Sequence, residues 1–202
     1  MAYASWLNPS KTSGSGNDTV SFGASEYTGR VARTTTVTFS ASGVTPSPEL
    51  AVTQSGKAEF VSIDATATVA KTGGSVTISG TSNSSKLTFT ETGTDGIGIT
   101  LPSSYTANSV STNNGSAITG DPGASQQYTF SITISNIGAN ATPSELTSQI
   151  TVTPNSGTAA VCNITQAAGD PTLSISPSSI TIPAAGTAQS VSVTSNTNWS
   201  IA

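Results

Sequence analysis

An all-β fold laid out as tandem β-sandwich units is what this sequence predicts, and three observations carry the prediction. Thr, Val and Ile alternate with polar residues in short runs bounded by Gly, Pro, Ser and Asn clusters, the pattern of pleated, half-buried strands. Charged residues are 8% and aromatics 5% of the 202 residues, against roughly 25% charged in ordinary domains. The third observation is a repeat. Leu50-Ala51-Val52-Thr53-Gln54 followed by Val61-Ser62-Ile63 is written again as Val161-Cys162-Asn163-Ile164-Thr165-Gln166 followed by Leu173-Ser174-Ile175. Gln54 and Gln166 lie 112 positions apart, as do Val61 and Leu173, close to the ~100 residues of a β-sandwich. Each occurrence reads as a closing strand, a short linker and the opening strand of the next unit.

The chain therefore parses into residues 1–56, the back half of a sandwich; 57–168, a complete unit; and 169–202, the front half of another, so that the first and third units are incomplete. In the first, Trp6-Leu7-Asn8-Pro9 leads to a Ser-Gly-Ser-Gly turn within residues 10–17. Alternation then predicts strands at 18–22, 31–39 and 49–54. Ser55-Gly56-Lys57 is a linker short enough to stack consecutive units end to end. The middle unit is expected to have strands at 59–63, 75–79, 86–91, 96–101, 128–137, 149–153 and 159–166, with a long loop at 102–123 that carries Tyr105. The third unit offers strands at 173–176, 180–182, 189–195 and around Trp199.

Composition excludes several function classes. The net charge is −4, and the six basic residues (Lys11, Arg30, Arg33, Lys57, Lys71, Lys86) form no run, so nucleic acid is not an expected partner. No stretch approaches the ~18 apolar residues of a membrane helix, so no membrane partner is expected. The opening Met1-Ala2-Tyr3-Ala4-Ser5-Trp6 has neither the basic start nor the apolar run of a signal peptide, and the chain is expected to be made in a cytoplasm. With no histidine, and with its ten acids scattered over turns and strand ends, the sequence predicts no enzyme, no catalytic residues, no cofactor and no metal. Asp95 and Asp121, each beside Gly or Pro, read as turn residues before calcium ligands. The lone Cys162 reads as a small buried residue of the closing strand.

Pro177-Ser178-Ser179-Ile180-Thr181-Ile182, then Gly186, Val191-Ser192-Val193-Thr194-Ser195-Asn196 and Trp199 resemble the front half of a BACON domain, an immunoglobulin-like module of gut Bacteroidota and their phages. Trp6, Ser13-Gly14-Ser15-Gly16-Asn17, the strand at 19–22, Arg33 with 36–39, and Val52-Thr53-Gln54-Ser55-Gly56 resemble its back half. The middle unit departs from the pattern, with Lys86-Leu87 where a Trp is expected and an extra long loop. The resemblance implies tandem immunoglobulin-like β-sandwiches and a carbohydrate- or mucin-binding role. In crAss-like phages it implies virion components.

Five residues stand out as contacts for a glycan or a protein partner: Trp6, Tyr105, Trp199, Arg30 and Arg33. Packing between sheets is the commoner fate of a sandwich Trp, and a salt bridge that of the arginines. The expected function is a phage virion protein, a capsid-decorating or head-fibre component attached through its N-terminal half-unit, located in the virion. The alternative is a mucin-glycan-binding module. Expected partners are other virion proteins, with homo-oligomers or strand exchange between copies, because residues 169–202 hold the strands that 5–56 lack. The competing reading is that Ala202 interrupts a longer fibre.

Overall fold

The computed structural model describes residues 3–93 and 96–202, and among them every regular element is a strand. The molecule is all-β and built of β-sandwich units of the immunoglobulin-like kind. Its centre is a two-sheet sandwich of β5 (Val61–Ile63), β6 (Thr66–Val69), β7 (Gly74–Ser82), β8 (Leu87–Glu91), β9 (Ser104–Ala107), β10 (Val110–Asn113), β11 (Tyr128–Ile137), β12 (Leu146–Pro154) and β13 (Ala160–Gln166). One sheet has the order β10-β9-β11-β7-β5 and the other β6-β13-β12-β8. All pairs are antiparallel except β6 on β13, which is parallel.

The period-two pattern explains the core. In β11 the side chains of Tyr128, Phe130, Ile132 and Ile134 point inward and are buried, while Thr129 and Thr133 face solvent. Opposite them lie Phe89 of β8, Ile150 and Val152 of β12, and Cys162 and Ile164 of β13, the last four fully buried. Gly80 is needed because a Cβ there would strike the Ser62 carbonyl and the Phe130 ring. Its absence lets β5 lie flat on β7.

In the middle unit the structure departs from the sequence reading at three places. The 102–123 stretch is not one loop: Ser104–Ala107 and Val110–Asn113 form a hairpin whose two turn residues, Asn108 and Ser109, both have positive φ (48° and 64°), as a tight two-residue turn requires. Residues 96–101 form no strand; they pair with a sheet through a bridge between Gly96 and Thr147 and bury Ile97 in the core. Residues 66–69, unassigned by the periodicity, are a strand that crosses to the second sheet.

The outer units are smaller. The first holds two antiparallel pairs, β1 (Leu7–Pro9) with β2 (Phe22–Ala24) and β3 (Arg33–Thr38) with β4 (Glu49–Gln54). The third holds one, β14 (Leu173–Ser176) with β15 (Ser192–Ser195). The expected strand at 180–182 is unpaired, with Ile180 and Ile182 43% and 59% exposed.

Hydrogen bonds show that each outer unit repeats part of the middle one. Gln54 Nε2 donates to the Ser25 carbonyl (2.8 Å) as Gln166 Nε2 donates to Gly138 (2.7 Å). The linker N–H of Lys57 bonds Gly29 O as that of Gly169 bonds Thr142 O. In the third unit Asn196 Oδ1 accepts from Thr172 N (2.8 Å) as Asn83 Oδ1 accepts from Phe60 N (2.8 Å). Ser195 Oγ donates to Thr172 O as Ser82 Oγ donates to Phe60 O, and Gly186 N turns onto Pro183 O as Gly73 N does onto Ala70 O. Every atom in these pairs lies 112 or 113 positions from its counterpart. The first unit thus matches the β12–β13 side of the sandwich, and the third its β5–β7 side.

This difference in cover sets mutational cost. Ile132→Ala, at a fully buried site, is expected to cost about 3 kcal/mol, and Leu50→Ala, on uncovered β4, under about 1 kcal/mol. Urea unfolding of both variants checks the contrast.

Candidate functional site

Two features of the first unit can meet a partner, and a third fixes the unit to the sandwich. The first is a stack. Arg33, opening β3, places its guanidinium 4.6 Å from the Trp6 ring centroid and 4.3 Å from that of Tyr27, a geometry in which both ring faces attract the cation. Its Nε and Nη2 donate to Gln54 Oε1 (3.0 and 2.8 Å). The fork is thereby held by β4 while the aromatic rings, all partly buried, close around it.

The second is a groove of about 370 Å³ between the Gly-rich loop that joins β1 to β2 and the end of β3. Lys11, Ser13, Ser15 and Asp18 supply its polar wall, and Phe22, Val37 and Phe39 its apolar one. Phe22 and Phe39 meet edge to face at 6.5 Å. Lys11 Nζ donates to Asp18 Oδ1 (2.7 Å), and this bond, followed by the Thr19 N–H, holds the Asp18 carboxyl below its ordinary pKa.

The third is the joint with the sandwich. Arg30 Nη1 and Nη2 form a bidentate pair with Asp121 Oδ2 and Oδ1 (2.7 and 2.9 Å), Nη2 also donates to Asn83 O (2.7 Å), and Nε lies 2.7 Å from Glu59 Oε1. Glu59 has a fully buried side chain. It also accepts from the N–H groups of Ser85 (3.1 Å) and Ser156 (2.8 Å) and from the hydroxyls of Ser84, Ser85 and Ser156. Burial works against its charge, but these donors prevail and its pKa falls below the ordinary value. Asp121 behaves likewise: burial raises its pKa, while Arg30 and the Gly123 N–H lower it further. Gly56 has room for no Cβ, since the Arg30 carbonyl occupies that space.

The sequence-selected residues separate accordingly. Trp6 and Arg33 meet in the stack, whereas Arg30 is spent inside the molecule as the pin between units. Tyr105 is a correction as a surface contact. It is 4% exposed, its ring 4.7 Å from that of Phe89, because the hairpin that carries it folds over the core. Trp199 is 50% exposed in the third unit. Asp121 caps its own turn by accepting from Gly123 N (2.9 Å), and Asp95 lies outside the described residues. Burial raises the Cys162 thiol pKa, and the nearby Asp64 adds to it, which leaves an inert core residue. Among the described residues no three of His, Cys, Asp and Glu gather to hold a metal ion.

Sequence reasoning missed Tyr27 and Glu59. Tyr27 stood alone in a polar stretch and Glu59 read as the start of a strand, and only the fold supplies their partners.

The stack, the groove and the closing Val52-Thr53-Gln54 all fall in one continuous stretch. Residues 1–55 match the BACON family model. That model is described as "Putative binding domain, N-terminal". The BACON match stops at Ser55, two residues before Lys57 opens the next unit. No curated protein matches the chain, and no solved structure does.

Glu59→Gln is expected to weaken folding at pH 7 by about 2 kcal/mol, the usual scale of a hydrogen-bonded charge. Because the folded pKa is lowered, the stabilisation is complete above the unfolded value of about 4.3 and disappears as pH falls through the folded one. Urea titrations at pH 7 and pH 3 check the sign: the gap between wild type and variant closes in acid.

Proposed function

We propose that the chain is a non-enzymatic binding protein that attaches through its N-terminal unit, an open half-sandwich closed by polypeptide from a partner. The observation that carries this reading is a set of aligned positions. Val37 and Phe39 correspond to Ile150 and Val152, and Leu50 and Val52 to Cys162 and Ile164, by the same 112- or 113-residue offset. In the sandwich all four counterparts are fully buried, whereas Phe39 is 42% and Leu50 39% exposed. The groove is thus the interior of a sandwich of which residues 3–56 supply only two two-stranded sheets, β1–β2 and β3–β4.

Uncovered apolar strands of this kind serve assembly better than catalysis, and the setting they fit is a structural protein of a particle, such as a capsid-decorating or head-fibre protein of a phage. The joint at Arg30 supports the same reading, since it transmits any load on the first unit directly to the sandwich. The expected test result is that particles purified on a density gradient carry the wild-type chain and lose it on Phe39→Asp, with the thermal unfolding of the central sandwich unchanged. Particles that lack the chain, or that hold the variant equally well, would sink the reading.

A glycan-binding role is favoured by a different observation, the BACON match together with the half-open Trp6–Arg33–Tyr27 stack. Aromatic faces beside polar donors suit sugar rings. In that case mucin oligosaccharides bind the isolated chain in calorimetry, and Trp6→Ala lowers their affinity at least about tenfold, or 1.4 kcal/mol.

A further inference from the structure

We infer that the partner polypeptide is a second copy of this chain: residues 178–182 of one copy add as a parallel strand to the free edge of β4 in the next, and copies join head to tail. The inference rests on the reading that the first unit is closed by polypeptide, and names the polypeptide.

The central sandwich shows the arrangement. There β13 carries β6 on its outer edge in parallel, with Ile164 beside Ala67, Thr165 beside Thr68 and Gln166 beside Val69. The ladder includes Asn163 N to Ala65 O and Ala167 N to Val69 O, and Gln166 Nε2 adds a bond to Ala70 O (3.3 Å). β4 is the counterpart of β13, yet among the described residues it pairs only with β3, and its other edge is open there. Residues 179–182 are the counterpart of β6, and Ser178 that of Ala65. They are preceded by the paired β14 and followed by the Pro183–Gly186 turn, both as in the sandwich, but among the described residues no strand takes them up.

An edge without its strand and a strand without its edge are present in the same molecule. The offsets place Val52 beside Ile180, Thr53 beside Thr181 and Gln54 beside Ile182. The N–H groups of Ala51 and Ser55 then meet the carbonyls of Ser178 and Ile182. Ile180 and Ile182 take the inward places of Ala67 and Val69, and β14 and β15 arrive over the exposed Phe39 and Leu50 on the open side of the β3–β4 sheet.

A single chain does not make this contact within itself. The first unit is pinned near Asn83, at the end of β7, and the third near Lys71, just before its start, where Lys71 Nζ binds Asp170 (2.6 Å) and Asn196 Nδ2 donates to Ala141 O (2.9 Å). β7 has nine residues and so spans about 30 Å. The donor and the open edge belong to opposite ends of the sandwich, and the interface is heterologous, which generates open chains rather than closed pairs.

The test is sedimentation equilibrium of the full chain alone over a wide range of concentration. The mean mass is expected to climb beyond a dimer, and Ile180→Lys with Ile182→Lys to hold the chain monomeric while the melting of the central sandwich stays unchanged. A full chain carrying Thr53→Cys and Thr181→Cys is expected to give a ladder of disulfide-linked multimers on mild oxidation, and each single variant no more than dimers. A wild-type chain that stays monomeric, or growth that the two lysines leave untouched, overturns the inference. If the inference falls but Phe39→Asp still releases the chain from particles, the closing polypeptide belongs to another protein. Loss of both results removes polypeptide closure altogether.

Discussion

A β-sheet face made of alternating Val, Ile and Phe has to be covered, and the rest of this molecule follows from where that cover is present and where it is missing. In the central sandwich the two sheets supply it for each other. Ile132 and Ile134 pack against Ile150, Val152 and Ile164, and all are fully buried. Removing apolar surface from water is the main favourable term available to a chain with so few charges. The end units have the same alternating strands and the same local hydrogen bonds, but only two-stranded pieces of the sheets, two in the first unit and one in the third.

That asymmetry also explains the joints. A half-sandwich cannot depend on its own core for position, so polar contacts hold it to its neighbour. At one end the buried Glu59 is compensated by serine donors and by Arg30, whose guanidinium also grips Asp121 and the Asn83 carbonyl. A buried carboxylate is costly unless its oxygens are occupied, and here they are. At the other end Asn196 bonds the carbonyls of Ala141 and Asp170, and Lys71 reaches Asp170. The repeat therefore has a built-in direction: each unit is oriented by the linker, the loop before the last hairpin and the first turn of the next unit.

Much of this was legible in the residues. The all-β class, the repeat and its linkers come directly from local composition and period. Gln54 and Gln166 marked the ends of closing strands through the repeat, and the structure adds that each amide donates to a loop carbonyl. Legibility failed where alternation was weak or interrupted. The hairpin at Ser104–Ala107 and Val110–Asn113 is rich in Ser, Thr and Asn, so it looked like loop. Its apolar members, Tyr105 and Ala107, are few but fully placed in the core. β6 escaped because Thr66-Ala67-Thr68-Val69 has only one large apolar residue, and its pairing is to a strand nearly a hundred positions away.

The sequence by itself determined that the chain is all-β, that it repeats with a period of 112, and which side chains alternate inward, because strand geometry turns spacing directly into a face. Only the tertiary structure decided which faces are covered. Trp6 and Tyr27 acquire a role when β3 brings Arg33 between them, Arg30 when Glu59 and Asp121 converge on it, and Tyr105 loses its surface when a hairpin folds over Phe89. Such contacts join residues far apart in the chain, and no local pattern encodes a partner at that distance.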